Sequence, residues 1–419
     1  MAGDSPASSR ADYVLRDDQT LPIVVWLGPS DDQIRPEVMA ALAGAGFNIS
    51  VSAVAPDQFD RSLGIAADAG MRLLVRSAAF DLGRMTYEQG RDYRLDDAQK
   101  ARIRDSVGAL RDHPGLYGYY IHDEPAHADY DWIAAVIREI ESHDSYHMRY
   151  VNHNAPVIQG GYGAGTQEAL WKDWIRKTRP RYLSYDHYPI ELKPRDVIAG
   201  LGPQAPNVFG SIVVKPNYFA CLAFARMFCT VLDLPLWAFT NAVAHWSYPP
   251  ATAGHLRFQL MCDLAYGARG LQYFVGGSPA VLVDAQGRTT DTWTMARQVN
   301  AEVHRLWQPP RPLRSIGVFH HGPVWEGTQR HMLTPVEAWG MDHLGPKFHC
   351  LGDPCVLGLF DDPAGAMFVL VVNRNPQDSA SVSLDPTLAD TVPHKWHPLP
   401  PGGAKLFRLR DGAPPEAVA

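Results

Sequence analysis

Eight short runs rich in β-branched and aromatic residues recur along the chain, and stretches of helical periodicity lie between them. They occupy residues 21–28, 47–54, 71–76, 117–124, 149–154, 181–189, 236–241 and 270–275. Runs of this kind, bounded by Pro, Gly and Asp, read as buried strands. Helical segments are expected over residues 60–69, 95–111, 128–142, 170–177, 217–231 and 253–266, with a further one opened by Pro36 and stopped by Gly44 and Gly46. Parallel strands need a long crossover, usually a helix, so the alternation predicts a parallel sheet covered by helices. Eight such units close into a barrel. An open doubly wound sheet is the alternative, and no glycine-rich phosphate loop follows the first run to favour it.

From about Leu313 the texture changes. Runs at 315–319, 367–372, 380–384 and 404–408 are separated by Pro, Gly and Asp turns, the pattern of an antiparallel sandwich. The expectation is therefore an α/β chain: a (β/α)8 TIM barrel with a C-terminal antiparallel β-sandwich domain packed on its flank. Residues 1–20 read as a polar lead-in, 21–310 as the barrel, 311–411 as the sandwich and 412–419 as a disordered Pro/Ala tail. A length of 419 residues suits one barrel plus a smaller domain.

The active site of such a barrel is built from the C-terminal tips of its strands. The fourth run ends Tyr120-Ile121-His122-Asp123-Glu124-Pro125, apolar in its body and acidic at its tip, with Pro125 closing the strand. Alternation puts Tyr120, His122 and Glu124 on one side and Ile121 and Asp123 on the other, unless the tip bends. The structural reading is that Asp123 or Glu124 caps the following helix. The same tip chemistry recurs elsewhere, giving the candidate mouth residues Trp26, His122, Asp123, Glu124, Asn152, His153, Asn154, Asp186, His187, Tyr188, Asn241, His245, Trp246 and Tyr273. Among them only Asp123, Glu124 and Asp186 carry carboxylates. Hydrolysis of a glycosidic bond needs a carboxylic acid for the leaving oxygen and usually a second carboxylate as nucleophile or base. Glu124 is thus the candidate general acid/base, Asp186 its partner, and Asp123 a substrate-orienting or pKa-tuning residue. Glu124 and Asp186 are predicted to lie within about 10 Å of each other in one pocket. Trp26, Trp246 and Tyr188 suit stacking on sugar C–H faces, and the Asn and His side chains suit hydroxyl recognition. Any one of these polar residues could instead be a structural hydrogen-bonder in a loop.

Composition narrows the partners. A net charge of −7 without a basic stripe argues against a nucleic-acid binder, and no segment is long and apolar enough to span a membrane. The expected partner is a glycoside or oligosaccharide, with 11 Trp and 17 Tyr to meet it; no cofactor is expected, and the sequence does not fix the oligomeric state. Residues 1–18 are polar and lack a signal-peptide core, which reads as cytoplasmic, or as secreted or periplasmic where a leader has been removed. The five cysteines show no metal-ligand spacing. Cys221 and Cys229 read as core thiols, and only Cys350 and Cys355 are close enough in sequence to invite a bridge.

Glu124, with Pro125 after it, resembles the fourth-strand acid/base of the (β/α)8 glycoside hydrolases, the clan of β-galactosidases and cellulases. That clan has Asn-Glu-Pro there, whereas this chain has Asp123 before the Glu. The clan also carries a nucleophilic Glu on its seventh strand, and residues 236–246 contain no carboxylate. The Asp123-Glu124 pair is similar to that of the substrate-assisted β-hexosaminidases, in which the Asp orients an acetamido group that serves as nucleophile. Ser184-Tyr185-Asp186 resembles the sixth-strand Tyr-Asp of chitinase-type barrels. These resemblances cover residues 20–300 and imply a glycosidase-like barrel, with Glu124 as acid and Asp186 or Asp123 as its partner. Two other classes use the same residues. His122, Asp123, Glu124, His153, Asp186 and His187 are metal-ligand types suited to a metal-dependent hydrolase or isomerase, although no His-x-His marks the first strand. A non-catalytic sugar-binding barrel is the other.

Overall fold

In a computed structural model the described residues are 20–81, 92–155, 166–201, 205, 207–307, 313–323, 348–385, 394–410 and 413–418. Eight parallel strands form one sheet: β1 (Ile23–Trp26), β2 (Ile49–Ala53), β3 (Arg72–Arg76), β4 (Leu116–Asp123), β5 (Met148–Asn152), β6 (Leu183–Tyr185), β7 (Leu236–Asn241) and β8 (Ala268–Phe274). Their order is β5-β4-β3-β2-β1-β8-β7-β6. The two ends meet at His153, whose N–H donates to the Ser184 carbonyl at 3.0 Å while its carbonyl accepts from the Asp186 N–H at 3.0 Å. That bridge closes the sheet into a (β/α)8 barrel, with a C-terminal β-sandwich later in the chain. All eight strands form where the apolar runs lie, because a strand buried on both faces carries an unbroken apolar signal.

The described chain divides into two compact units, residues 1–187, 227–238 and 269–293 in the first and 188–226, 239–268 and 294–419 in the second. Within the first, the barrel interior is filled by aromatic rings. Tyr150 stacks on Tyr120 and Tyr182 at centroid distances of 5.6 and 6.0 Å, and Trp237 packs against Tyr117, Tyr150 and Tyr182. Large rings need close backbone approach elsewhere. A Cβ on Gly270 would sit 2.4 Å from the Trp237 ring, and one on Gly118 would meet the Met148 carbonyl at 2.3 Å.

The second unit holds elements the sequence pattern did not announce. Ile190–Leu192, Val208–Phe209 and Ile212–Val214 form a small antiparallel sheet, the last as its centre strand. Helix Ala253–Ala265 is buried along nearly its whole length, since strands Cys355–Asp361 and Met367–Asn373 lie against it. The sandwich pairs a five-stranded with a three-stranded sheet, and one core joins them through Leu357, Val369 and Phe407 of the larger and Cys350, Val382 and Leu384 of the smaller. Cys350 and Cys355 are buried free thiols with sulfurs 3.5 Å apart. The terminal segment expected to be disordered instead forms strand Ala413–Ala417, paired with Ala404–Arg410. It is an edge strand, where proline's missing donor costs no ladder bond. Helix Asp291–Leu306 lies where no helix was expected, and Arg257 makes two hydrogen bonds to its Glu302, at 2.7 and 2.9 Å.

Candidate active site

The site is set by the irregular tip of β4. Pairing with β5 runs Tyr120 opposite Tyr150, then His122 opposite Val151 and Asp123 opposite Asn152, so Ile121 is an extra residue. A bulge of this kind shifts the side-chain alternation by one. Strict alternation grouped His122 with Tyr120 and Glu124 and put Asp123 on the other side; in the structure His122 and Asp123 exchange sides. His122 lies over Trp132 at 5.3 Å, with Asp129 at 3.6 Å, on the helical side of the strand. Asp123 turns in and accepts a hydrogen bond from Asn152 Nδ2 at 3.1 Å. Glu124 then adopts a left-handed backbone, φ 45°, and its N–H donates to the Asn152 carbonyl at 2.9 Å. Such a conformation costs about 1–3 kcal/mol in a non-glycine residue and persists where the surroundings enforce it, often at functional sites.

Asp186, just past β6, accepts from the same Asn152 Nδ2 at 3.2 Å, with the Glu124 carboxyl as a charged neighbour. The bulge, the left-handed turn and the β5–β6 closure together gather three carboxyl groups around one amide. Burial, then the charges of Glu124 and Asp123, push the Asp186 pKa well above the carboxylate range, outweighing the Asn152 hydrogen bond. Burial also raises Asp123 to about 6, with Glu124 adding to the rise and Asn152, His122 and Arg76 opposing it.

Below the carboxyls lies a polar chain that sequence reasoning missed. The Tyr150 hydroxyl donates to Gln272 Oε1, Gln272 Nε2 to Ser184 Oγ at 2.9 Å, and Ser184 Oγ to Asn152 Oδ1 at 2.8 Å. Ser184 and Gln272 are fully buried, so their polar atoms must pair with one another. The alternation of β8 could have flagged Gln272, a lone amide in an apolar run. Beside the carboxyls, Trp26 packs against Tyr120 and Phe274 at 6.5 and 5.8 Å. Arg76, at the tip of β3, carries its guanidinium 5.9 Å from the Tyr120 ring.

Of the remaining candidates, some serve packing and others belong to the second unit. His153 is buried edge-on against Trp174 at 4.7 Å, and burial lowers its pKa to about 3. Tyr273 meets Phe47 at 5.0 Å, on the face of β8 opposite Gln272. Asn154 and His187 are buried. In the second unit, Asn241 Oδ1 accepts from the Val243 N–H at 3.2 Å, and Tyr188 packs with His245 and Tyr248 at 6.1 and 5.7 Å. Trp246 is 96% exposed. The metal reading needed His122 and His153 beside the carboxylates, and both instead pack against aromatic rings of helices. Among the described residues no group of three His, Cys, Asp or Glu is arranged to hold an ion.

No protein-family model matches the sequence, and no curated protein matches it. Among solved structures, a family 5 glycoside hydrolase from Bacteroides vulgatus is similar over 94% of this chain and 89% of that one, with a TM-score of 0.52 at 10% identity. The two share a fold. A second structure, described only as a glycoside hydrolase, covers 94% and 93% with a TM-score of 0.49 at 10% identity. A β-galactosidase from the psychrophilic Marinomonas ef1 matches 68% of this chain with a TM-score of 0.44 at 11% identity, and this chain spans 59% of its length.

Proposed function

We propose that this chain is a glycoside hydrolase in which Glu124 and Asp186 work as one proton-carrying pair. The observation that carries the reading is the convergence of carboxyls at the C-terminal tips of β4 and β6, where Asn152 Nδ2 donates to Asp123 at 3.1 Å and to Asp186 at 3.2 Å and Glu124 is close enough to help raise the Asp186 pKa. Acid and nucleophile stand ~5–5.5 Å apart in retaining enzymes, and acid and base ~6.5–9.5 Å apart in inverting ones, with the sugar between them. In this reading the pair is not an acid and a nucleophile on opposite faces of a sugar. It is a single acid, with the proton held between two groups. Asp186 passes the shared proton to Glu124, which delivers it to the glycosidic oxygen as the C–O bond breaks. Water ends on the anomeric carbon, and the proton it loses returns to the pair.

Asp123, turned inward beside them, favours one substrate class. An inward Asp next to the acid is what neighbouring-group assistance by a 2-acetamido group needs, and it suits the absence of a carboxylate from residues 236–246. The experiment is a panel of 4-nitrophenyl glycosides, with and without a 2-acetamido group. Release of nitrophenol from one of them, at a rate that falls ~10²–10⁴-fold in Glu124→Gln, supports the reading. No turnover on any of them, or a variant keeping more than about a tenth of the rate, refutes it.

A further inference from the structure

The barrel interior holds a directional relay beneath the carboxyls. Tyr150 has one hydroxyl hydrogen, and it goes to Gln272 Oε1, which leaves the Gln272 amide nitrogen facing Ser184. Ser184 accepts that hydrogen and so donates its own to Asn152 Oδ1. With its oxygen committed downward, Asn152 must point both amide hydrogens up, one to Asp123 Oδ1 and one to Asp186 Oδ1. The reverse amide orientation would aim an oxygen at two carboxyl oxygens and a nitrogen at a hydroxyl already receiving a hydrogen from Gln272. Each hydrogen in the chain is therefore fixed by the one below it. With Oδ1 of Asp186 accepting from Asn152, its other oxygen is the one left to carry a hydrogen.

We propose that Ser184 and Gln272 are positioning residues that lock the Asn152 amide and thereby fix which oxygen of the carboxyl cluster holds the proton. The proposal rests on the glycosidase reading for its catalytic meaning, though the lock itself is a property of the resting protein. Tyr150 stands in reserve: its hydroxyl lies 3.3 Å from Ser184 Oγ and can donate there if Gln272 is lost. The charged and titratable groups that act on the cluster or its relay are Arg76 and Asp81 from β3 and the loop after it, Tyr120 and, from the helical side, His122 of β4, Glu124 just after β4, Tyr150 of β5 and Tyr182 just before β6. None of them is altered by the variants below except Tyr150, which is why it is tested alone.

The test is a carbon-13 NMR titration of the full chain labelled at the aspartate carboxyl carbons, with Asp123→Asn and Asp186→Asn assigning the two signals. It needs no substrate, so failure of the glycosidase reading and failure of the relay are separate outcomes. Removing the donor to Asn152 in Ser184→Ala weakens the amide's hold on the carboxylates and moves the Asp123 midpoint up by about half a pH unit or more. Gln272→Met moves it less, because Tyr150 substitutes. Tyr150→Phe alone leaves it in place, and Gln272→Met with Tyr150→Phe moves it further than Gln272→Met, since a Ser184 hydroxyl that receives no hydrogen is free to turn away from Asn152. That double variant also serves if Ser184→Ala fails to fold. An Asp123 midpoint unchanged in Ser184→Ala and in the double variant, or moved as far by Tyr150→Phe alone, overturns the proposal.

Discussion

Asp123 holds its charge at a cost, and the cost can be measured. Its pKa rises from the ordinary 3.8 to about 6, chiefly through burial. That is about 2 pH units, and at about 1.36 kcal/mol each it amounts to ~3 kcal/mol for the fully ionised group, or roughly 1.5–3 kcal/mol once its partial solvent access is allowed for. A folded state that binds the proton more tightly than the unfolded chain is favoured most below the unfolded pKa. Its advantage is lost as pH rises through the folded one, here between about pH 4 and 6. Asp123→Asn keeps an oxygen to accept from Asn152 and removes the buried charge. At pH 7 the variant should therefore melt higher than the wild type, by roughly 2–6 °C for a domain of this size. At pH 3.5 the gain should vanish, since Asp123 is protonated in both states of the wild type. Thermal melts read by circular dichroism at the two pH values decide it. No gain at pH 7, or an equal gain at both, refutes the assignment of a strained, inward carboxylate.

Three further outcomes follow from other residues. Burial holds the His153 pKa near 3, so its contribution to stability is full above about pH 6.5 and is lost as pH falls toward 3; His153→Phe should flatten the acid limb of a stability–pH curve, and an unchanged limb would count against that burial. Trp246 is exposed and left-handed at φ 47°, so Trp246→Gly should melt no lower than the wild type, while a raised KM on an active glycoside would reveal a sugar platform and an unchanged KM would remove Trp246 from substrate binding. Exhaustive EDTA treatment should leave turnover unchanged, and loss restored by Zn²⁺ or Mn²⁺ would revive the metal-dependent alternative.

The barrel was legible because its strands are buried on both faces, and an apolar run such as Leu73-Leu74-Val75 has one structural meaning when helices flank it. The sandwich was legible in part. Met367–Asn373 stood out, whereas Cys355–Asp361, broken by Gly358 and bounded by Asp361 and Asp362, did not. The facing of the site was illegible for a different reason. Period-2 reasoning fails at a bulge, and nothing in Tyr120-Ile121-His122 announces that Ile121 is the extra residue. One slipped residue sends His122 to the helices and brings Asp123 inward. The relay was hidden likewise, since Tyr150, Ser184 and Gln272 come from three strands far apart in sequence and become partners only when the sheet closes at His153. Carboxylate identity could be read from the strand tips, but their mutual distance could not.

The central claim is that Glu124 and Asp186 act as one acid, and a double-mutant cycle tests it most directly. Glu124→Gln, Asp186→Asn and the combined variant are assayed for kcat on whichever glycoside the wild type cleaves. Two groups that share a function give effects that do not multiply. The account predicts a fall of ~10²–10⁴-fold for each single variant, with the double no slower than the worse single. Effects that multiply in the double variant, or an Asp186→Asn protein that keeps wild-type kcat, would contradict it.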